Sequence, residues 1–242
     1  MIPKIIHYVW VGGKPLTPLA ERCIESWKKH CPDYEIKRWD ESNFDINENQ
    51  YCKEAYDSKK WAFVSDYIRL KVLHEEGGIY MDTDVEVIKP LDSFLIDPAF
   101  SGFENETMIP TGIIAAEKGN GWINNLLKDY ANRKFIKADG TYDMTTNVTL
   151  ITENTKRQFP EIQLNNTMQR FEEVVFYPKD YFCPKSQVNY KTYLTKNSCA
   201  IHHFNSSWYT PKQKLKKKVK KFFNLITFGL FGKLYLKLRK DK

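Results

Sequence analysis

"AFVSDYIRLKVLHEEGGIYMDTDVEV", residues 62–87, decides how the rest of the chain is read. Ala62, Ser65, Ile68, Val72 and Leu73 recur at the spacing of one helix face. Residues 61–76 are therefore expected to form a helix with that stripe turned inward. Gly77 is a natural stop at its C-terminal end. Residues 79–81 then form a short apolar strand that runs into Asp82 and Asp84. Alternate strand residues point the same way, so the two carboxylates converge. Ligands in α/β sheets sit beyond the carboxyl ends of the strands. A divalent cation such as Mg²⁺ or Mn²⁺ takes oxygen ligands there and bridges substrate phosphates. Alone, a D-x-D of this kind is more often a solvated acidic turn, so its surroundings must decide.

Working outward, residues 5–11 form a first strand closed by Gly12 and Gly13. Residues 16–30 have helical spacing, with Leu19, Cys23, Ile24 and Trp27 on one side and Pro32 as the stop. Residues 34–39, 113–116, 174–177 and 199–202 are expected as further strands, and residues 122–132 as a helix. Strands alternating with helices give an α/β fold with a mainly parallel sheet.

The charge is unevenly placed. Residues 211–242 carry 12 Lys/Arg and one acid, whereas the other 210 residues carry 25 basic and 29 acidic side chains. A mildly acidic body with a basic end argues against a general nucleic-acid binder and for an anionic partner of the end segment alone. Five scattered cysteines without a C-x-x-C suggest neither a zinc site nor a disulfide framework, so they are expected as reduced thiols in a cytoplasmic protein. The start, MIPKIIHYVW, lacks the apolar segment of a signal peptide. No stretch approaches the roughly 20 apolar residues of a spanning helix.

Two other uses of D-x-D can be tested on the letters. A calcium loop starting at Asp82 needs Gly at its sixth position and Glu at its twelfth, where the chain has Val87 and Ser93. A phosphatase of the haloacid dehalogenase type uses the first Asp as nucleophile. Such enzymes usually place the motif near the N-terminus, ahead of a lysine and a second acidic pair; here it follows 80 residues and no convincing pair comes after it. This remains the weaker enzyme alternative, beside a module that only binds glycan or nucleotide.

Three stretches together resemble glycosyltransferase family 32: "IPKIIHYVWVGG" (2–13), the S-D-x-x-R helix joined to the D-x-D, and "HHFNSSW" (202–208). That family includes bacterial capsule and polysaccharide enzymes, the yeast initiating mannosyltransferase and the catalytic domain of large clostridial glucosylating toxins. The likeness is clearest over residues 1–95 and 199–208 and loose between them. It implies a GT-A fold over residues 1–210, with a Rossmann-like sheet binding a nucleotide sugar, and transfer with retention of anomeric configuration. It implies that Asp82, Asp84 and His203 hold Mn²⁺ or Mg²⁺, with His202 pointing the opposite way. Trp10 is expected to stack on the nucleotide base and the Val9 backbone to meet the base edge. Asp66 and Arg69 reach the donor's hydroxyls and phosphate side, and Ser65 sits beside the ribose or base. Thr83 is placed with the donor; Ser206 and Trp208 contact the diphosphate. Tyr80 either lines the donor site or faces the core, and Asn147 either touches sugar or acceptor or is a plain polar turn. Asp66, Arg69, Asp82 and Asp84 form the expected catalytic set. The donor is expected to be UDP-linked and the acceptor a lipid-linked glycan of bacterial surface polysaccharide synthesis.

In residues 211–242, Leu215, Val219, Phe222 and Ile226 recur at helical spacing among lysines, ahead of "FFNLITFGLFG". A basic amphipathic segment of this kind is expected to lie on an anionic membrane surface, here the inner face of the cell membrane.

Overall fold

The computed structural model describes residues 1–109 and 112–205. Ser206, Trp208 and the basic segment 211–242 lie outside the described residues.

The chain opens with β1 (Ile5–Val9), α1 (Pro18–His30) and β2 (Glu35–Trp39). Thr17 caps α1 by accepting from the Ala20 N–H at 3.2 Å, and Pro18 sits in the first turn, where its missing N–H costs nothing. Then come α2 (Gln50–Asp57), α3 (Trp61–Glu76), β3 (Gly78–Met81) and β4 (Val85–Val87). The remaining elements are β5 (Ala99–Gly102), β6 (Ile113–Ala116), α4 (Gly121–Lys128), α5 (Asn147–Gln158), β7 (Gln169–Arg170), β8 (Val175–Tyr177), α6 (Lys179–Phe182) and β9 (Ala200–His202).

Seven strands form one sheet in the order β2-β1-β3-β6-β5-β8-β7, and β4 pairs antiparallel with β9 in a second, two-stranded sheet. Five of the seven run one way; β6 and β7 run against them. The α/β sheet flanked by helices is as expected, and the reversed β6 between β3 and β5 is the departure.

Side chains alternate across this sheet into two cores. Tyr80, Ile114, Ala116 and Phe176 face one core with α2, α3, α4 and α5, whereas Ile79, Met81, Ile113, Ala115 and Val175 face the other with α1 and α6. This phase points Tyr80 toward α3. Helix α3 is itself buried nearly all round: Phe63, Val64, Tyr67, Leu70 and Val72 are covered, and so are Asp66 and Arg69. Ala62 and Ser65, expected in the buried stripe, are only half-buried. Burying a large side chain contributes about 2 kcal/mol, so a helix covered on all faces can hold two charged groups inside.

Helix α3 ends at Gly77 (φ +72°), and Gly78 follows at φ +107°. A Cβ on Gly78 would lie 2.7 Å from the Ile5 carbonyl oxygen and 2.8 Å from His7 Nε2. His7 is buried against this tight turn: Nδ1 accepts from the Trp39 indole at 3.0 Å, so Nε2 carries the proton and donates to the Gly77 carbonyl at 2.7 Å. The helix expected over 122–132 stops at Lys128, where Asp129 caps it. All five cysteines are buried free thiols. Among the described residues no helix is long and apolar enough to cross a membrane.

Candidate active site

Strand β3 stops at Met81, and the Asp82 N–H donates to the Gly112 carbonyl at 2.8 Å beside the start of β6. The chain then turns, with Val85 N–H donating to the Asp82 carbonyl at 2.9 Å. The two aspartates therefore converge through a turn and not through strand alternation. Thr83 is half-buried at that turn.

Asp82 belongs to a connected cluster with α3. Its Oδ1 accepts from the Tyr80 hydroxyl at 3.0 Å and lies 3.3 Å from Arg69 Nη2. Arg69 pairs with Asp66 Oδ1 at 2.9 Å and donates to the Ser65 carbonyl and Oγ, each at 3.1 Å. Its guanidinium stacks on the Tyr80 ring, 4.5 Å from the centroid. The i, i+3 spacing of Asp66 and Arg69 thus marks a buried pair and not a surface one. Burial pushes the Asp66 carboxyl up to about 6, with Arg69 working against that rise. Burial also opposes the charged guanidinium, but Asp82 and Asp66 outweigh it and raise its pKa further. Arg69 is thereby a fixed cation whose planar fork is held in one orientation. Tyr80 faces the core, and only its hydroxyl reaches the site, at Asp82.

Asp84 is tied to the end of the described chain. Its carbonyl accepts from His203 N–H at 2.9 Å, and its Oδ2 accepts from Asn205 N–H at 2.7 Å. His202, opposite Val85 in the β4–β9 pair, places Nε2 3.3 Å from Asp84 Oδ1. One ligand atom each from Asp82, Asp84 and His202 lie within 4.8 Å of one another. Burial alone would raise the Asp84 carboxyl; the His202 ring and the Asn205 N–H hold it at about 2 instead. Burial works against a charged His202, but Asp84 outweighs it and raises the ring well above its usual value. Two carboxylate oxygens and an imidazole nitrogen suit Mn²⁺ or Mg²⁺, with the imidazole favouring Mn²⁺.

The expected ligand His203 faces away. Its Nε2 bonds Glu86 Oε2 at 2.8 Å, and its carbonyl accepts from Lys185 Nζ at 3.2 Å. Adjacent strand residues do point to opposite sides, as expected, but the phase is the reverse of the expected one: β9 turns His202 toward the aspartates. Three-residue β9 carries too little pattern to set that phase from sequence, and the Val85–His202 register sets it in the fold.

Val9 closes β1 in the core, and Trp10 is half-buried with its indole N–H donated to the Lys14 carbonyl at 2.7 Å. Asn147 is not in a polar turn. It opens α5, buried beside Asp66, whose charged carboxylate its amide favours. Sequence reasoning missed Glu104, just after β5. Burial raises its carboxyl, with His202 opposing and Asp82 adding to the rise, and Gln187 donates to it at 2.7 Å. "GFENET" carries no motif or periodicity that marks it.

Comparison with known proteins agrees with this geometry. Residues 18–101 match the family described as "Glycosyltransferase sugar-binding region containing DXD motif". The chain is 28% identical over 174 residues to "Subversion of eukaryotic traffic protein A" of Legionella pneumophila, covering 57% of this chain and 26% of that protein. It is 29% identical over 136 residues to "Inositol phosphoceramide mannosyltransferase 3" of Schizosaccharomyces pombe, covering 53% of this chain and 37% of that one. The chain thus spans about a quarter to a third of the length of these two relatives. An "uncharacterized glycosyltransferase" of Acanthamoeba polyphaga mimivirus is 25% identical over 234 residues, covering 89% of this chain and 86% of that one. The matched stretch contains α1, the Asp66–Arg69 helix and Asp82 with Asp84, so residues 18–101 are similar to glycosyltransferase sugar-binding regions that contain a DXD motif.

Proposed function

We propose that the chain is a metal-dependent, retaining glycosyltransferase of the GT-A type, moving a hexose from a nucleotide sugar to a glycan acceptor. The single observation that carries this reading is the meeting of Asp82, Asp84 and His202 beside the buried Asp66–Arg69 pair, the aspartates and Arg69 lying in residues 18–101, which match a sugar-binding region. Asp82, Asp84 and His202 would hold Mn²⁺ or Mg²⁺. Such a cation supplies neutralisation of the negative charge that grows on a departing diphosphate.

The chain's own residues do the rest. Arg69, already charged and fixed, holds the Asp82 carboxylate in place and adds preorganised positive charge on the donor's phosphate side, where such charge is worth most. Asp66 accepts from sugar hydroxyls. Asn147, buried beside Asp66, would orient that carboxylate toward the sugar. Trp10, at the end of β1, offers a face for the nucleotide base. The acceptor hydroxyl attacks from the side of departure, and the leaving phosphate takes its proton. We favour a uridine diphosphate donor. We further favour a lipid-linked acceptor in bacterial surface polysaccharide synthesis, with residues 211–242 resting on the inner face of the membrane. The phosphatase alternative needs Asp82 as a free nucleophile, and Tyr80 and Arg69 engage that carboxylate.

The test is hydrolysis and transfer with a panel of UDP-galactose, UDP-glucose, UDP-N-acetylhexosamines and GDP-mannose, with Mn²⁺ and with chelator. One donor should be turned over only with the metal, and Asp84→Asn should lose at least about 100-fold with an unchanged melting temperature. Turnover that ignores chelator, or full activity of Asp84→Asn, would end the proposal.

A further inference from the structure

The segment between α6 and β9 is a built hairpin at the rim of the site. Lys185 and Thr192 form an antiparallel bridge, Tyr193 N–H donates to the Pro184 carbonyl at 3.0 Å, and Ser186 N–H donates to the Lys191 carbonyl at 2.8 Å. Its returning arm is pinned to α6, where Asp180 accepts from the Thr195 hydroxyl through Oδ2 and from the Ser198 hydroxyl through its carbonyl, both at 2.7 Å. Its outgoing arm and turn touch the site: Lys185 donates to the His203 carbonyl, and Gln187 in the turn donates to Glu104.

What this scaffold presents is unusual for a loop facing water. All six residues of 191–196, "KTYLTK", are exposed, with Tyr193 at 55% and Leu194 at 58% between Lys191 and Lys196. The Tyr193 hydroxyl accepts from Asn189 Nδ2 at 2.6 Å, so the ring is steadied while its face stays open. No Asp or Glu occurs anywhere in residues 181–240, which hold 14 Lys/Arg. The hairpin is the described beginning of that acid-free run.

We infer that the exposed returning arm of this hairpin, residues 191–196, docks into an anionic lipid surface, with Tyr193 and Leu194 entering the interface and Lys191 and Lys196 meeting the headgroups. An aromatic and an aliphatic residue bracketed by lysines, on a fixed arm that carries no acid of its own, is the chemistry of interfacial binding. The hairpin leads directly into β9 and His202, so docking there sets the mouth of the site against the bilayer. This deepens the reading above, on which the membrane-borne acceptor rests, by giving the folded body its own lipid contact.

The experiment uses the full chain and vesicles of phosphatidylcholine alone or with phosphatidylglycerol. Wild type should co-sediment with the anionic vesicles. Tyr193→Ser/Leu194→Ser should bind them about tenfold more weakly, and Lys191→Gln/Lys196→Gln should bind more weakly at low salt, both at unchanged melting temperature. A fluorophore on Leu194→Cys, selective because the native thiols are buried, should shift to the blue on anionic vesicles. Hairpin variants that partition like wild type, an unshifted fluorophore, or binding of RNA in place of vesicles would overturn the inference. Metal-dependent hydrolysis of nucleotide sugar in vesicle-free buffer should be the same in all variants. If wild type lacks that hydrolysis while vesicle binding still depends on the hairpin, the enzyme reading falls and the lipid surface stands. If hydrolysis is intact while vesicle binding ignores the hairpin, the lipid surface falls and the enzyme reading stands.

Discussion

Replacing Arg69 with Met keeps the bulk of the side chain and removes its charge. In the native fold the guanidinium faces Asp66 at 2.9 Å and Asp82 at 3.3 Å, and Asp66 is 7% exposed. Removing one partner of such a buried pair costs about 3–5 kcal/mol when the other must stay charged. The Asp66 carboxyl, however, can take a proton. It titrates at about 6 in the fold, above the ordinary 3.8, so the folded state binds the proton more tightly than the unfolded one. Stability therefore falls as pH rises from 3.8 through 6 in wild type. Without Arg69 the folded-state value moves higher, and the fall extends past neutrality. The variant should thus lose about 3–5 kcal/mol at pH 8. At pH 5, where Asp66 is largely neutral in both proteins, it should lose only about 1–2 kcal/mol for missing hydrogen bonds. Urea denaturation at the two pH values reads the difference. Equal losses at pH 5 and pH 8, or a loss under about 1 kcal/mol at pH 8, would refute the buried-pair account.

Other outcomes follow from neighbouring geometry. His7 is buried and burial lowers its pKa, so the unfolded chain takes its proton first. Stability should fall by up to about 1.4 kcal/mol per pH unit as pH drops below 6.5, and His7→Gln should flatten that slope in urea titrations. Gly78→Ala forces a left-handed φ onto a side chain that would strike the Ile5 carbonyl, and should cost at least about 2 kcal/mol by the same assay. A Cβ on Gly112 would lie 2.8 Å from His202 Nδ1, so Gly112→Ala should weaken Mn²⁺ binding, read by titration calorimetry, with little change in melting temperature.

Residues 62–87 were legible because several cues agree there: an apolar stripe, a glycine stop, and an apolar strand ending in acids. The depth at which Asp66 and Arg69 lie was not, because the helix is covered nearly all round and its exposed charge at Glu75 does not set Asp66 and Arg69 apart. Helix α5 escaped notice since "NVTLITENT" is rich in β-branched and turn-forming residues; Thr146 caps it and burial of Ile151 and Thr155 holds it. The reversed direction of β6 is fixed by its antiparallel pairing with β3 and β5, which no periodicity records. The identity of the site histidine turned on the phase of a three-residue strand, and only its partner β4 settles that phase.

The most direct measurement is calorimetric binding of uridine diphosphate with and without Mn²⁺ to wild type, His202→Ala and His203→Ala. Wild type should bind the nucleotide only when the metal is present. His202→Ala should lose at least about tenfold in affinity, as expected when one of three protein ligands to a cation is removed, while His203→Ala stays near wild type. Metal-independent binding, or a loss confined to His203→Ala, would contradict the cation site assigned to Asp82, Asp84 and His202.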